Sequence, residues 1–367
     1  MRCDLSSADS SDLWKTSLGF KTLKLHQKSP LLGLPAVAFL RCLNFAAKPA
    51  GLKSDMQEYP EVRANCALAL MNINAVRPEK RLKDMIYRHL YWLTTNECPV
   101  IKAWGDCREP GVGRLEHSIQ NALAVVTAVC TEAFCEFKEL EKSNEFDTSL
   151  NDCKAFLLSE LQGLDSEFTE KNPAAPCVQA AVMKALARLY QFAATNEKKM
   201  ITLKVKELYS YLKKSQLASG SWPTQPQLTA PANCRCNCNI IRDIAATATR
   251  TNLPGAQKVI NKGWRYVISN LFCERKGIFK RLSDRKLSRL CGYALSDNAA
   301  ALHAAVRLGS IDMARHLNRN IEKRFIKFGN IYTRIDHFGL RKNKDYLRDG
   351  ISAYLLALSE LLQLDII

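Results

Sequence analysis

The sequence predicts an all-α protein built as an α/α toroid, a closed double ring of about five to six helix hairpins. Three observations lead there. Helical periodicity runs from end to end, while alternating strand patterns are scarce. A unit of hairpin size recurs at a spacing of roughly 50 to 60 residues. Within each unit a charged amphipathic helix alternates with one made mostly of Ala, Leu and Val.

Periodicity predicts helices over 31–47, 62–73, 81–93, 115–130, 150–161, 177–193, 204–214, 240–250, 256–270, 297–308, 311–325 and 347–364. The first, with AFLRCLNFAA, belongs to a helical extension (residues 1–60) expected to pack on a toroid of residues 61–367. RANCALAL marks the second. The next four form pairs: IYRHLYWL, a loop at Trp104-Gly105, then HSIQNALAVV; KAFLLSELQ, a Pro-rich turn, then VQAAVMKALARL. Three clearer copies follow. KELYSYLKKSQ leads through SGSWP around Trp222 to IIRDIAATA, which Asn252 and Pro254 close. INKGWRYVISN leads through KGIFKRL around Phe279 to DNAAALHAAV, opened by Ser296-Asp297-Asn298 and closed by Gly309. LNRNIEKRF leads through FGNIYTRI around Tyr332 to ISAYLLALSELL, opened by Asp349-Gly350. Trp222, Phe279 and Tyr332 are thus expected at equivalent places.

Helices apolar nearly all round belong inside, and their one-sided partners outside. Closing the pairs into a ring hides end faces that an open superhelix would have to cap. Long decorated loops follow the outer helices and short turns the inner ones, so one rim should carry the function.

Composition narrows the class. With 47% apolar and 24% charged residues the chain is a packed globule, not disordered, collagen-like or coiled-coil. No uninterrupted apolar run approaches the roughly 18 to 20 residues of a membrane span. The net charge of +17 favours anionic partners such as acidic polysaccharides, diphosphates, nucleic acids or membrane surfaces. No basic tail or RNA-binding signature appears, so nucleic acid is not expected. Most of the 14 cysteines sit in apolar helical runs, as Cys42, Cys66 and Cys130 do. The start, MRCDLSSADSSDLWK, has no secretory pattern, and a reduced, cytoplasmic protein without disulfides is expected.

The segment LKKSQLASGSWPTQ resembles the helix-end Gln, then Gly-Ser-Trp element repeated in the toroids of terpenoid cyclases and protein prenyltransferases. GIFKRL and GNIYTRI resemble weaker copies, and the pattern spans roughly residues 80 to 365. The resemblance implies a superfold also used by polysaccharide lyases, uronyl hydrolases and sugar epimerases, and implies function less than fold. The Asp-x-Asp-Asp acid of terpenoid cyclases is absent. Prenyltransferase zinc needs an Asp and a Cys two residues apart, then a His on a later inner helix. The matching place reads Asp297-Asn298-Ala299, and the helix from Asp349 to Leu364 has no His. No metal and no cofactor are expected.

In Asn233-Cys234-Arg235-Cys236-Asn237-Cys238-Asn239, three thiols at spacing two fit a soft-metal loop, a redox element or a plain entry into a helix. The loop Asn330 to Phe338 gathers the catalytic candidates: Tyr332, Arg334, Asp336 and His337. Arg334 would neutralise an anionic substrate group, while Tyr332 or His337 moves a proton. The alternative is a solvated loop whose aromatics pack on the barrel. Expected inner-helix starts, Glu116 and His117, Arg242 and Asp243, Asp297 and Asn298, Arg348 and Asp349, should face the same rim. Substrate-binding candidates are therefore Trp222, Arg242, Asp243, Asp297, Asn298 and Asp349, with helix capping the alternative for Asp297 and Asp349. His303, on an apolar face, is expected in the core. The leading expectation is an enzyme acting on an acidic carbohydrate, as a lyase or hydrolase. The alternatives are a toroid handling an isoprenoid and a non-catalytic toroid that binds a glycan or a protein.

Overall fold

The computed structural model describes residues 58–98, 102–104, 116–167, 175–224 and 231–366, with a few isolated earlier positions. The proposed extension over residues 1–60 falls almost wholly outside the described residues. Helices follow in the order α1 (Pro60–Val76), α2 (Lys80–Thr95), α3 (Glu116–Glu141), α4 (Asp147–Glu167), α5 (Pro176–Leu189) and α6 (Thr195–Ser215). Then come α7 (Cys234–Ala248), α8 (Ala256–Leu271), a short α9 (Arg285–Cys291), α10 (Leu295–Arg307), α11 (Ile311–Phe325) and α12 (Ser352–Ile366).

Six of these close an inner ring. Helix α1 packs on α3, α3 on α5, α5 on α7, α7 on α10, α10 on α12, and α12 returns to α1. Helices α2, α4, α6, α8 and α11 pack outside them. The reason lies in the side chains: α5 and α10 are buried along nearly their whole length, whereas α6 and α11 bury one stripe only. The ring closes through Asn65 Nδ2 to Ser352 Oγ at 3.3 Å and Asn72 Nδ2 to Ser359 Oγ at 3.0 Å. Both pairs are separated by 287 residues, so α1 and α12 run parallel. Glu132 to Lys184, then Glu136 to Arg188 one turn on, say the same of α3 and α5. Parallel inner helices put all their N-termini at one rim.

The aromatic loops of the repeat are wedges between hairpins. Trp222 is fully buried; its Nε1 donates to Leu212 O at 2.8 Å, and its backbone N–H donates to Asn237 Oδ1 at 2.8 Å. Gly263 leaves the space for it, since a Cβ there would lie 2.6 Å from Trp222 Cζ3. Trp104 repeats the arrangement: Nε1 to Leu93 O at 2.8 Å, backbone N–H to Thr127 Oγ1 at 3.1 Å. Phe279 donates its N–H to Asn298 Oδ1 at 2.8 Å.

Short strands decorate the rim: β1 (Phe272–Cys273) with β2 (Ile278–Phe279), and β3 (Tyr293–Ala294), β4 (Ile326–Lys327) and β6 (Arg341–Lys344) around β5 (Asn330–Ile335). Phe279 faces Phe272, and Ile331 faces Ile326. The counterpart of Phe279 is therefore Ile331, not the expected Tyr332. The β4–β5 turn, Phe328-Gly329, is two residues shorter than the β1–β2 turn, Glu274 to Gly277.

Candidate active site

Helix α7 begins earlier than its apolar pattern suggests, because Asn233 caps it by accepting the N–H of Cys236 at 3.1 Å. The cysteine run is the first turn of a helix rather than a loop. Arg242 and Asp243 consequently lie two turns inside α7, away from the rim where they were expected. They join a buried belt across the ring. Lys184 Nζ is 2.8 Å from Glu132 Oε1 and 3.0 Å from Asp243 Oδ1. Arg242 NH2 lies 2.7 Å from Asp243 Oδ1, and its NH1 3.4 Å from His303 Nδ1. His303 Nε2 is 3.0 Å from Glu360 Oε2, and Arg307 NH2 2.6 Å from Glu360 Oε1. Burial pushes the Asp243 carboxyl up, but Arg242 and Lys184 outweigh it and hold the group below its ordinary value. Burial of His303 lowers its pKa, so it stands neutral between Arg242 and Glu360. Three acids then balance three bases.

Two further substrate-binding candidates are also structural. Trp222 is enclosed and touches no solvent. Asn298 is fully buried, with its amide committed to Phe279 N and O and to Ala294 O. Both are the buried portions of the wedge, where a solute could enter only by separating adjacent hairpins. The side chains of Asp349, Glu116 and His117 lie outside the described ones.

The rim itself collects around Asp297, 2% exposed in the first turn of α10. Its Oδ1 accepts the backbone N–H of Arg235 at 3.2 Å. Burial pushes its carboxyl above the ordinary range, and the charges of Arg281, Arg235 and Arg334 pull some of the way back. The charges of three guanidiniums thus act on one buried carboxyl. Arg235 stands on α7. Arg281 is brought in because its carbonyl accepts Cys234 N–H at 2.9 Å, tying the β2 loop to the start of α7. Arg334 comes from β5, where Ala294 of β3 is its partner. Tyr332 and Arg334 share one face of β5, since Thr333 and Ile335 between and beyond them are buried.

The rest of the predicted quartet separates from this group. Asp336 Oδ1 accepts Phe338 N–H at 3.0 Å and Leu340 N–H at 2.9 Å, closing the β5–β6 turn, and its Oδ2 meets Lys342 Nζ at 3.3 Å. His337 is exposed on that turn, its ring 3.8 Å from that of Phe338. Sequence reasoning missed Arg235 and Arg281. The signal for Arg281 was present, since GIFKR and NIYTR both end in Arg; Arg235 sat inside a run read for its thiols. A separate cavity of about 290 Å³ lies between α2 and α4, lined by Tyr91, Glu97 and Asp152 among others, with no predicted site residue. No group of three or more metal-ligating side chains occurs among the described residues. No helix among them is long and apolar enough to cross a membrane.

No protein-family model matches the sequence, and no curated protein is similar to it in sequence. Solved structures are similar in fold. Cellobiose 2-epimerase from Bacillus thermoamylovorans B4167 superposes with a TM-score of 0.61 at 9% identity, covering 83% of this chain and 88% of the epimerase. A family 88 glycosyl hydrolase from Bacteroides vulgatus gives 0.57 at 10%, covering 84% and 94%. A polysaccharide lyase gives 0.57 at 12%, covering 83% and 90%. The α/α toroid is thereby established as the class of this protein, at identities that carry the fold alone.

Proposed function

We propose that this chain is an α/α-toroid enzyme acting on an acidic carbohydrate, by lyase or hydrolase chemistry. One observation carries the reading: the buried carboxyl of Asp297, raised above its ordinary range, at a rim where the charges of Arg235, Arg281 and Arg334 act on it. A carboxyl with a raised pKa is suited to give or take a proton. Planar guanidiniums are suited to a carboxylate or sulfate in bidentate fashion. Arg334 and its neighbours would hold the anionic group, Asp297 would act as acid or base, and Tyr332 would be the second proton carrier. The carbohydrate enzymes among the similar structures support the substrate class. The isoprenoid reading wants an aromatic-lined cavity, whereas Trp104, Trp222 and Phe279 are enclosed between helices.

A second reading, a non-catalytic glycan-binding toroid, is favoured by the ionic belt that fills the ring below the rim. The two separate by experiment. Asp297→Asn should abolish turnover of a uronate-containing polysaccharide, followed by new reducing ends or unsaturated product, while binding persists. Arg334→Ala should weaken binding without lowering the melting temperature. Unchanged turnover in Asp297→Asn would remove the catalytic assignment. Binding lost in Arg334→Ala, with no turnover of any polyuronate or sulfated glycan by the wild type, would establish the scaffold instead.

A further inference from the structure

The cysteine run acquires a partner that the sequence does not show. Cys236 lies in the first turn of α7, and Cys177 in the first turn of α5, its neighbour in the inner ring. Lys184 of α5 meets Asp243 of α7 at 3.0 Å across 59 residues, and Cys177 and Cys236 stand at that same separation on the same two helices, two turns toward their N-termini, so the two thiols face each other across the helix pair. Both residues are half-buried. Cys130, Cys135, Cys153, Cys234 and Cys238 are fully enclosed. Cys234 and Cys238 also approach, at 3.9 Å, but one turn apart on one helix and out of reach of solvent.

We propose that Cys177 and Cys236 form a thiol–disulfide exchange site at the mouth of the inner ring, with a low-molecular-weight disulfide as oxidant. The division of labour follows from the surroundings. The hydrogen bond from Cys236 holds the Cys177 thiol below its ordinary range, against burial, with help from the charge of Arg235 and from the backbone N–H groups of Cys177 and Val178. Donating that bond pushes Cys236 the other way, and burial adds to it. Cys177 is the attacking thiolate and Cys236 the resolving thiol. The Cys177 thiolate attacks one sulfur of the oxidant R–S–S–R, forming a mixed disulfide and releasing one thiolate. Cys236 gives its proton to solvent and attacks the Cys177 sulfur, releasing the second. Two protein thiols are oxidised to one disulfide, and the oxidant is reduced to two thiols. The product would staple the entry ends of α5 and α7, beside the backbone N–H of Arg235 that holds Asp297.

The test is to treat the folded full chain with glutathione disulfide, quench with acid, and map the cysteines by digestion and fragmentation. The expected result is a Cys177–Cys236 cross-link, formed about tenfold faster than any modification of the half-buried Cys98, Cys273 or Cys291. Cys236→Ser should trap glutathione on Cys177, and Cys177→Ser should give no cross-link. Melting curves of both variants establish whether they remain folded. If Cys98, Cys273 or Cys291 reacts as fast in the wild type, or the cross-link forms only after unfolding, the proposal fails. It fails equally if folded Cys236→Ser does not trap glutathione. The wild-type map decides the matter even if a variant does not fold.

Discussion

At the scale of single residues, most of the repeat is a device for burying one aromatic ring per hairpin. Trp222 satisfies its indole N–H on Leu212 O and its backbone N–H on Asn237, so a large side chain enters the core with no unpaired donor. Gln216 completes the corner by donating to Gly220 O and Val259 O, both at 3.0 Å. Gly263 is the complementary absence. Gly263→Ala places a methyl against Trp222 and the Ile241 side chain, 3.2 Å away, with no room to yield. It should cost about 1–3 kcal/mol in denaturant unfolding. A Trp222→Phe background should absorb some of that cost, because the smaller ring frees the space; an equal cost in both backgrounds would refute the contact. The aromatic and the Gln were legible in the sequence. The receiving glycine was not, because it lies on the next outer helix.

Among the elements, the start of α7 shows how one cap redistributes function. Asn233 begins the helix at Cys234, so the polar residues read as rim groups rotate into the ring, and the thiols and Arg235 take the rim instead. Hydrophobic periodicity places the body of a helix well but says little about its first turn, where capping geometry decides. The same limit hid α9, opened by Asp284 accepting Leu287 N–H at 2.8 Å. The seam between α1 and α12 gives a test of ring closure. Asn72→Ala and Ser359→Ala should each cost about 1 kcal/mol. Their double-mutant cycle should show a coupling of about 0.5 kcal/mol or more. Zero coupling would mean that the two helices do not meet in solution.

Across the whole molecule, the buried belt ties five of the six inner helices together, by ion pairs and by the imidazole of His303. Asp243→Ala would take the carboxylate from buried Arg242 and leave Lys184 with Glu132 alone, and should cost about 3–5 kcal/mol in urea unfolding. A cost under about 1 kcal/mol would show that the belt is solvated. Stability should also depend on pH with a definite sign. Burial, then the charge of Arg63, lowers His89 from its ordinary 6.5 to about 4. The unfolded chain therefore takes up a proton below pH 6.5 that the folded chain refuses, and stability falls from pH 6.5 to about 4. His303 acts in the same direction. Burial opposes the charge of Glu360, yet His303 and Arg307 hold it at about 2 against an ordinary 4.5, so its contribution is lost as pH falls through that interval. Unfolding free energy measured against pH should decline steadily on the acid side, and His89→Gln should flatten the slope between pH 6.5 and 4.

The sequence by itself determined the helices, their alternation of apolar and one-sided faces, and the repeat that turns hairpins into a ring. Those are properties of neighbours along the chain, set by side-chain spacing and backbone sterics. It also marked Asp297 and Arg334 as rim groups. Only the tertiary structure decided which groups meet: the charges of Arg235, Arg281 and Arg334 act from three separate segments on one carboxyl, Cys177 comes level with Cys236, and Arg242 with Asp243 turns inward to Lys184 and His303. Electrostatic partners are fixed by distance in space and by burial, and the closing of the ring sets both.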